Sequence, residues 1–164
     1  MKNAGTTHLK GVNEVVRNLN KIILNTKNVS IAALIEASII IQRDADKGSP
    51  KTPVDTRNLQ HSWFATTVKS TKGQGASFTG KEASTMSTDH SSAIAGGQAM
   101  VKVQRQPTLL MGYTANYASF VHEMGGGKSI NWSRPGSGAK WFELSLSKNT
   151  RAILDLFVNK LKIK

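Results

Sequence analysis

The sequence contains no cysteine, only four prolines and only ten acidic residues among its 164 positions. Without cysteine the chain forms neither a disulfide framework nor a thiolate metal site, so its fold must rest on packing alone. Aromatic residues make up 6% of the chain, which leaves little material for a platform on which single-stranded bases stack. The absence of cysteine also excludes a cysteine nucleophile, and it suits a protein that is assembled in a reducing cytoplasm.

Long apolar runs are absent as well. No uninterrupted run approaches the roughly 20 residues that span a bilayer, and the N-terminal stretch MKNAGTTHLKG lacks the apolar region of a signal peptide. We therefore expect a soluble protein that is not exported and has no membrane partner.

Basic residues outnumber acidic ones by 22 to 10, which gives a formal charge of +12. Such a charge raises a positive potential and favours polyanions, so DNA is a candidate neighbour. The lysines and arginines are spread over both ends of the chain rather than clustered. A generally basic surface and a dedicated DNA-contacting face therefore both remain open.

Two helices are predicted at the N-terminus. Apolar residues recur at steps of three and four over positions 12–23, which places them along one stripe of a helix. Ser30 is a favourable N-cap for a second helix. That helix is expected to end near Gly48, because Pro50 and Pro53 lack amide donors and disfavour helical backbone before them.

Strands are predicted at residues 62–69, 99–103 and 108–112, where β-branched and aromatic residues gather. Between the first two, Gly, Ser and Thr fill 15 of the 29 positions from 70 to 98. We expect this segment to be a flexible loop that orders on a partner, because it has too little apolar surface to order itself. Its candidate partner contacts are Lys72, Phe78, Lys81 and Met86.

The C-terminal part is predicted to be mostly helical. Residues 113–124 favour a short helix that the glycines at 125–127 end, and a last helix starts near Ala139. The loop between them, residues 129–138, holds Trp132, a large side chain that needs a partner such as another subunit. One α+β domain over 1–164 accounts for this order, with a small, mostly antiparallel sheet packed against two N-terminal helices and a C-terminal helix.

The junction between the second helix and the first strand carries the most informative pattern. Aspartate and threonine side chains bond nearby backbone amides and so fix turns. Taken alone, this pattern is typical of an ordinary turn between two elements. The predicted turn residues are Pro53, Val54, Asp55 and Thr56, and the predicted core anchors are Leu59 and Trp63.

The same residues resemble the motif of the bacteriophage tail-completion and head-to-tail joining family, the neck proteins of long-tailed phages. In that motif alanine or serine precedes proline, valine, aspartate, threonine and glycine, with leucine and serine following. Arg57 stands where the family usually has glycine, so we expect a less left-handed backbone there than in the relatives. The matching residues are Pro53, Val54, Asp55, Thr56, Leu59 and Ser62.

A second block, residues 117–125, is similar to the family's segment in which a short helix carries the chain toward the ring interface. The family's glutamate is displaced here to Glu123, because His122 precedes it. A third block, residues 141–146, is similar to the opening of the family's last helix. The expected subunit contacts are Tyr117, Val121 and Glu123, together with Trp132.

The resemblance implies a structural virion protein of the tail and neck, assembled in the host cytoplasm. Such proteins form a ring at the head-proximal end of the tail, with six subunits in the family. The expected partners are further copies of the chain, the stopper or adaptor proteins of the neck connector, the tail tube protein and the genomic DNA in the channel. Charge alone also favours an alternative, a basic nucleic-acid-binding module without phage architecture.

No residue pattern points to an enzyme, a cofactor or a metal. Gly127-Lys128-Ser129 copies the end of a phosphate-binding loop, but the first glycine of that motif would fall at His122. Counted from Asp44, Gly48 is the fifth residue, whereas a calcium loop requires glycine at its sixth position. The four histidines are far apart. We therefore predict no catalytic, cofactor-binding or metal-binding residues.

Overall fold

The computed structural model describes residues 12–124 and 130–162, and only the backbone of Val12 and Asn13. It has a long N-terminal helix, a small antiparallel sheet and a C-terminal helix, which confirms the predicted mixed fold class. The elements are α1 (Val12–Lys47), α2 (Asn58–His61), β1 (Trp63–Thr66), β2 (Thr71–Lys72), α3 (Ala83–Lys102), β3 (Leu110–Tyr113), α4 (Ala118–Glu123) and α5 (Trp141–Leu161).

The N-terminal region is one helix of 36 residues, so the prediction of two helices is wrong. Ser30 does not begin a new helix, because its hydroxyl donates to the Thr26 carbonyl one turn earlier at 2.9 Å. Serine satisfied in this way is tolerated inside a helix. The predicted C-terminal end near Gly48 is confirmed, since α1 ends at Lys47.

Helix α5 packs antiparallel against the C-terminal half of α1. The Lys160 ammonium contacts the Glu36 carboxylate at 2.5 Å, and Lys148 donates to the Ser49 carbonyl near the other end. The α1 residues buried by this packing and by the sheet include Ile31, Ala33, Ile35, Ala37, Ile41 and Ala45. Helix α5 also confirms the predicted last helix, which was expected to start near Ala139.

The sheet has the strand order β2-β1-β3, and both pairings are antiparallel. All four residues of β1 are buried, because α1 lies against one face of the strand and α3 against the other. The predicted strands at 62–69 and 108–112 correspond to β1 and β3, where Trp63 pairs with Tyr113 and Thr66 with Leu110.

The predicted flexible loop at 70–98 and the predicted strand at 99–103 are both wrong. Residues 71–72 form β2, and the 20-residue helix α3 runs from Ala83 through the expected strand to Lys102. The buried side of α3 holds His90, Ile94, Gly97 and Val101. The packing of this side stabilises the helix, although Gly, Ser and Thr residues are common in it.

The predicted helix at 113–124 is shorter in the structure, where α4 covers Ala118–Glu123. The glycines 125–127 that were expected to end it, and the Gly127-Lys128-Ser129 segment, lie outside the described residues. Leu59, Ala115, Ala118 and Trp141 pack with Ala45 in a core that joins α1, α2, α4 and α5.

One described helix, between Glu14 and Lys47, is long and apolar enough by length and composition to cross a membrane. This differs from the expectation drawn from uninterrupted runs, because an average over a helix tolerates scattered polar residues such as Asn25. Length and composition are weak evidence of a span, since core helices pass the same test. In the apolar stretch of α1 that passes it, 28% of the residues are buried.

Candidate functional site

The turn that follows α1 is held by Thr52, which is fully buried. Its amide and its hydroxyl both donate to the Ala45 carbonyl, at 2.6 and 2.9 Å, and its hydroxyl lies 3.3 Å from that of Tyr113. Burial raises the pKa of Tyr113 to about 12, so the phenol keeps its proton and remains a neutral partner. This anchor fixes where the next residues leave the helix.

Residues 53–57 form the next part of the turn, and the expected bonds from its aspartate and threonine are not found. Asp55 and Thr56 are exposed, and neither side chain makes a hydrogen bond within the described part of the chain. Arg57 has φ 67° and ψ −1°, so the expectation of a less left-handed backbone at this position is wrong. The turn imposes on arginine the conformation that glycine adopts most easily.

Asn58 ties this turn to the segment before α3. Its amide nitrogen donates to the Thr79 carbonyl at 2.8 Å, and its oxygen accepts from the Thr79 amide at 2.9 Å. The Thr79 hydroxyl adds a third bond at 3.3 Å. Because Asn58 is buried and both donates to and accepts from Thr79, it sets the distance between the turn at residues 53–57 and the start of α3.

The segment carrying Trp132 is held against the other side of the same turn. The Lys51 amide donates to the Gly136 carbonyl at 2.8 Å, and the Arg134 guanidinium donates to the Asp46 carbonyl at 2.7 Å. Burial raises the pKa of the Asp46 carboxyl, although Gln60, which donates to it at 3.1 Å, and Arg134 favour its charged form. These contacts place Trp132 beside the C-terminal end of α1.

These segments enclose an open cleft of about 580 Å³, which we call the junction cleft. Its wall mixes apolar side chains with polar ones and with four charged groups. Apolar side chains beside convergent polar groups occur in binding sites. The sequence-predicted residues that line it are Pro53, Val54, Asp55, Thr56, Leu59, Lys81, Met86, Tyr117, Val121 and Trp132. Three separately predicted sets, the turn, the subunit contacts and the partner loop, thus meet at one surface feature.

Four predicted residues lie elsewhere. Trp63 is a buried anchor in β1 and, with Lys72, lines a different cleft on the α1 side of the sheet. Phe78 packs edge-on against His90 with ring centroids 5.5 Å apart. Glu123 faces Lys140 at 2.5 Å and His122 at 2.9 Å, so it joins α4 to the start of α5.

The charges around the junction cleft are balanced, with Asp55 and Glu82 against Arg57 and Lys81. Burial, with a smaller effect from the Asp55 carboxylate, raises the pKa of Tyr117. At the nearby α4 contact, hydrogen bonds from Lys140 and His122 lower the pKa of Glu123, and the same carboxylate raises the pKa of Lys140. Near neutral pH the cleft therefore presents a protonated Tyr117 phenol and apolar side chains beside two acidic and two basic groups.

Two features of this region were not predicted from the sequence. Asn58, Glu82 and Ile130 also line the cleft, and only the neighbourhood of Asn58 to the motif hinted at this. The first part of α1, residues 14–26, is exposed throughout. We call it the α1 arm, and its apolar residues were predicted only as one stripe of a helix.

No group of three or more potential metal ligands occurs within residues 12–124 and 130–162. The chain was also compared with models of protein families, with curated proteins and with solved structures, and none of them matches it. The geometry of the junction cleft and the motif residues that line it are therefore the basis for a function.

Proposed function

We propose that this chain is a structural virion protein that forms a ring of six subunits at the head-proximal end of a phage tail. The ring completes the tail and joins it to the stopper or adaptor of the head connector, with the tail tube on its other face. The observation that carries the proposal is the junction cleft, where the residues of the tail-completion motif meet the second block that resembles the same family.

The composition of the cleft supports a binding role. Val54, Met86, Val121 and Trp132 are only partly buried, so each leaves apolar surface that a partner can cover. Tyr117 adds an aromatic ring with a polar tip, a residue type enriched at protein interfaces. A cleft of this kind suits the docking of another protein chain.

The charge of the chain supports passage of DNA. Six copies carry a formal charge of 6 × 12 = +72, which favours a polyanion inside or beside the ring. Genomic DNA entering or leaving a virion passes through the neck, so a basic ring suits this place. The proposal needs no base-specific contact, because phosphate contacts alone supply affinity that is independent of sequence.

Negative-stain electron microscopy with native mass spectrometry tests the proposal on the purified protein. We expect closed rings with a mass near 6 × 17.7 = 106.2 kDa. Rings should also restore infectivity when mixed with heads and tails that lack this protein. Single-subunit particles that bind duplex DNA tightly at moderate salt would instead favour the basic nucleic-acid-binding module.

A further inference from the structure

The α1 arm extends beyond the rest of the described protein. From the N-terminus, the first described side chain that bonds outside α1 is Lys27, which donates to the Arg105 carbonyl at 3.3 Å. Helix α5 ends at Leu161, and its Lys160 is level with Glu36. The 13 residues of the arm, about 20 Å of helix, therefore lie past the packed part of α1.

One side of the arm is apolar. Val15, Val16, Leu19, Ile22 and Ile23 are between 48% and 62% exposed. Their steps of three and four place them on one helical face, and the same steps lead on to the buried Ala33 and Ala37. This side of α1 is thus buried at Ala33 and Ala37 and uncovered along the arm.

The charged residues of the arm lie away from this face. At 100° per residue, Glu14, Arg17 and Lys21 fall on the opposite side of the helix. The uncovered face presents apolar anchors at i, i+4 and i+7, the spacing with which an amphipathic helix enters an apolar groove. A surface of this kind marks an interaction site rather than a solvated one.

An open cleft is present at the other end of the same helix. The junction cleft lies beside the C-terminal end of α1, where Leu59 packs on Ala45 and Arg134 bonds the Asp46 carbonyl. Lys47 follows Leu19 by 28 positions of uninterrupted helix, about 42 Å. Because a continuous helix does not fold back, the arm cannot reach the cleft of its own chain.

We propose that the α1 arm of one copy docks in the junction cleft of a second copy. Leu19 and Ile23 enter the wall formed by Val54, Val121 and Trp132. The contact joins two different surfaces, so it repeats from copy to copy and closes into a ring when the rotation allows. The inference rests on the proposed ring and names the two surfaces that build it.

The repulsion between copies of charge +12 makes an apolar contact the suitable one. Charges of one sign oppose association at long range, so the attraction must come from surface removed from water. The arm face carries no charge, and the charges around the cleft balance. The pairing of these two surfaces therefore adds no like-charge contact at the interface.

Mixing two defective variants tests the inference. The arm variant is Leu19→Glu with Ile23→Glu, and the cleft variant is Val121→Glu, with Trp132→Ala as a second cleft variant in case the first does not fold. Circular dichroism and thermal melting check that each is folded. We expect each alone to be a 17.7 kDa monomer by light scattering, because every joint in its assembly lacks one surface.

An equal mixture of arm and cleft variants retains one intact joint, between the arm of the cleft variant and the cleft of the arm variant. We expect a heterodimer of 2 × 17.7 = 35.4 kDa that does not grow further. The matched control is Asn25→Glu with Asn28→Glu, which adds the same charge on the polar side of α1 and should assemble like the wild type. A mixture that stays monomeric overturns the inference.

The outcomes also separate this inference from the proposed function. Rings formed by the arm variant alone would overturn the arm-in-cleft contact and leave the ring proposal standing. A heterodimer in the mixture, with wild-type protein that forms open filaments, would support the contact and overturn the closed ring. Cleft variants that assemble normally would show that the cleft does not receive the arm and would overturn the inference.

Discussion

Arg57 occupies a position whose backbone is set by the turn rather than by its own side chain. Its φ of 67° lies in the left-handed region, where a residue with a Cβ is disfavoured by about 1–2 kcal/mol. The residue lines the junction cleft and directly precedes α2. This strain is stored in the wall of the cleft.

Replacing Arg57 tests that strain. We expect Arg57→Gly to be more stable than Arg57→Ala by about 1 kcal/mol, because both remove the arginine side chain but only glycine relieves the left-handed backbone. Urea denaturation followed by circular dichroism measures the difference. Equal stabilities, or a more stable alanine variant, would show that the turn relaxes without cost.

At the scale of single residues, the sequence predicts burial better than it predicts hydrogen bonds. Leu59 and Trp63 are buried as expected, because apolar residues after a turn enter the core. Thr52 and Asn58 were not singled out, since their partners at Ala45 and Thr79 are brought near only by the complete fold. The bonds that shape the cleft are therefore the part that local pattern cannot supply.

At the scale of elements, helix α3 was not predicted from the sequence because of its residue composition. Its buried positions, His90, Ile94, Gly97 and Val101, do repeat at four, three and four. Two of the four are histidine and glycine, so the apolar stripe is not recognisable as one. Burial of His90 is supported by both ring nitrogens, which lie 2.7 Å from the Thr114 hydroxyl and from the Gly73 carbonyl.

The two glycines in the middle of α3 give a matched test of this packing. A Cβ on Gly97 would meet Leu110 at 2.9 Å and Thr66 at 3.3 Å, whereas a Cβ on Gly96 would meet nothing within 4 Å. We expect Gly97→Val to lower the free energy of unfolding by about 1–3 kcal/mol through overpacking against the sheet.

Gly96→Val is the control for that substitution. It should be neutral or slightly stabilising, because valine has a better helix propensity than glycine and nothing obstructs it. Thermal or urea unfolding of both variants gives the comparison. Equal effects of the two changes would mean that α3 does not pack on β1 and β3 through Gly97.

At the scale of the whole molecule, the formal charge of +12 and the apolar arm act in opposite directions on assembly. Between 0.1 and 1 M salt the screening length falls from about 10 Å to about 3 Å. Repulsion between copies weakens over this range, while the apolar contact does not. We expect the wild-type assembly, followed by light scattering on dilution, to be unchanged or tighter in high salt.

The opposite result would identify a different kind of contact. Assembly that dissociates as salt rises would indicate ion pairs between subunits, since these are the interactions that salt screens. Binding of duplex DNA by the ring should weaken over the same range, because phosphate contacts release counterions. The two measurements thus respond to salt in different directions if the proposed assembly is correct.

The unbroken length of α1 has a geometric consequence for any assembly built in this way. Each copy would dock its arm in one neighbour and receive the arm of another neighbour in its cleft. The length of α1 would then set the distance between successive contacts at about 40 Å. Removing seven residues, two turns, would shorten every step by about 10 Å while returning the stripe to nearly the same side. The circumference of the collar, and hence the width of its bore, would then be encoded in the number of turns of a single helix.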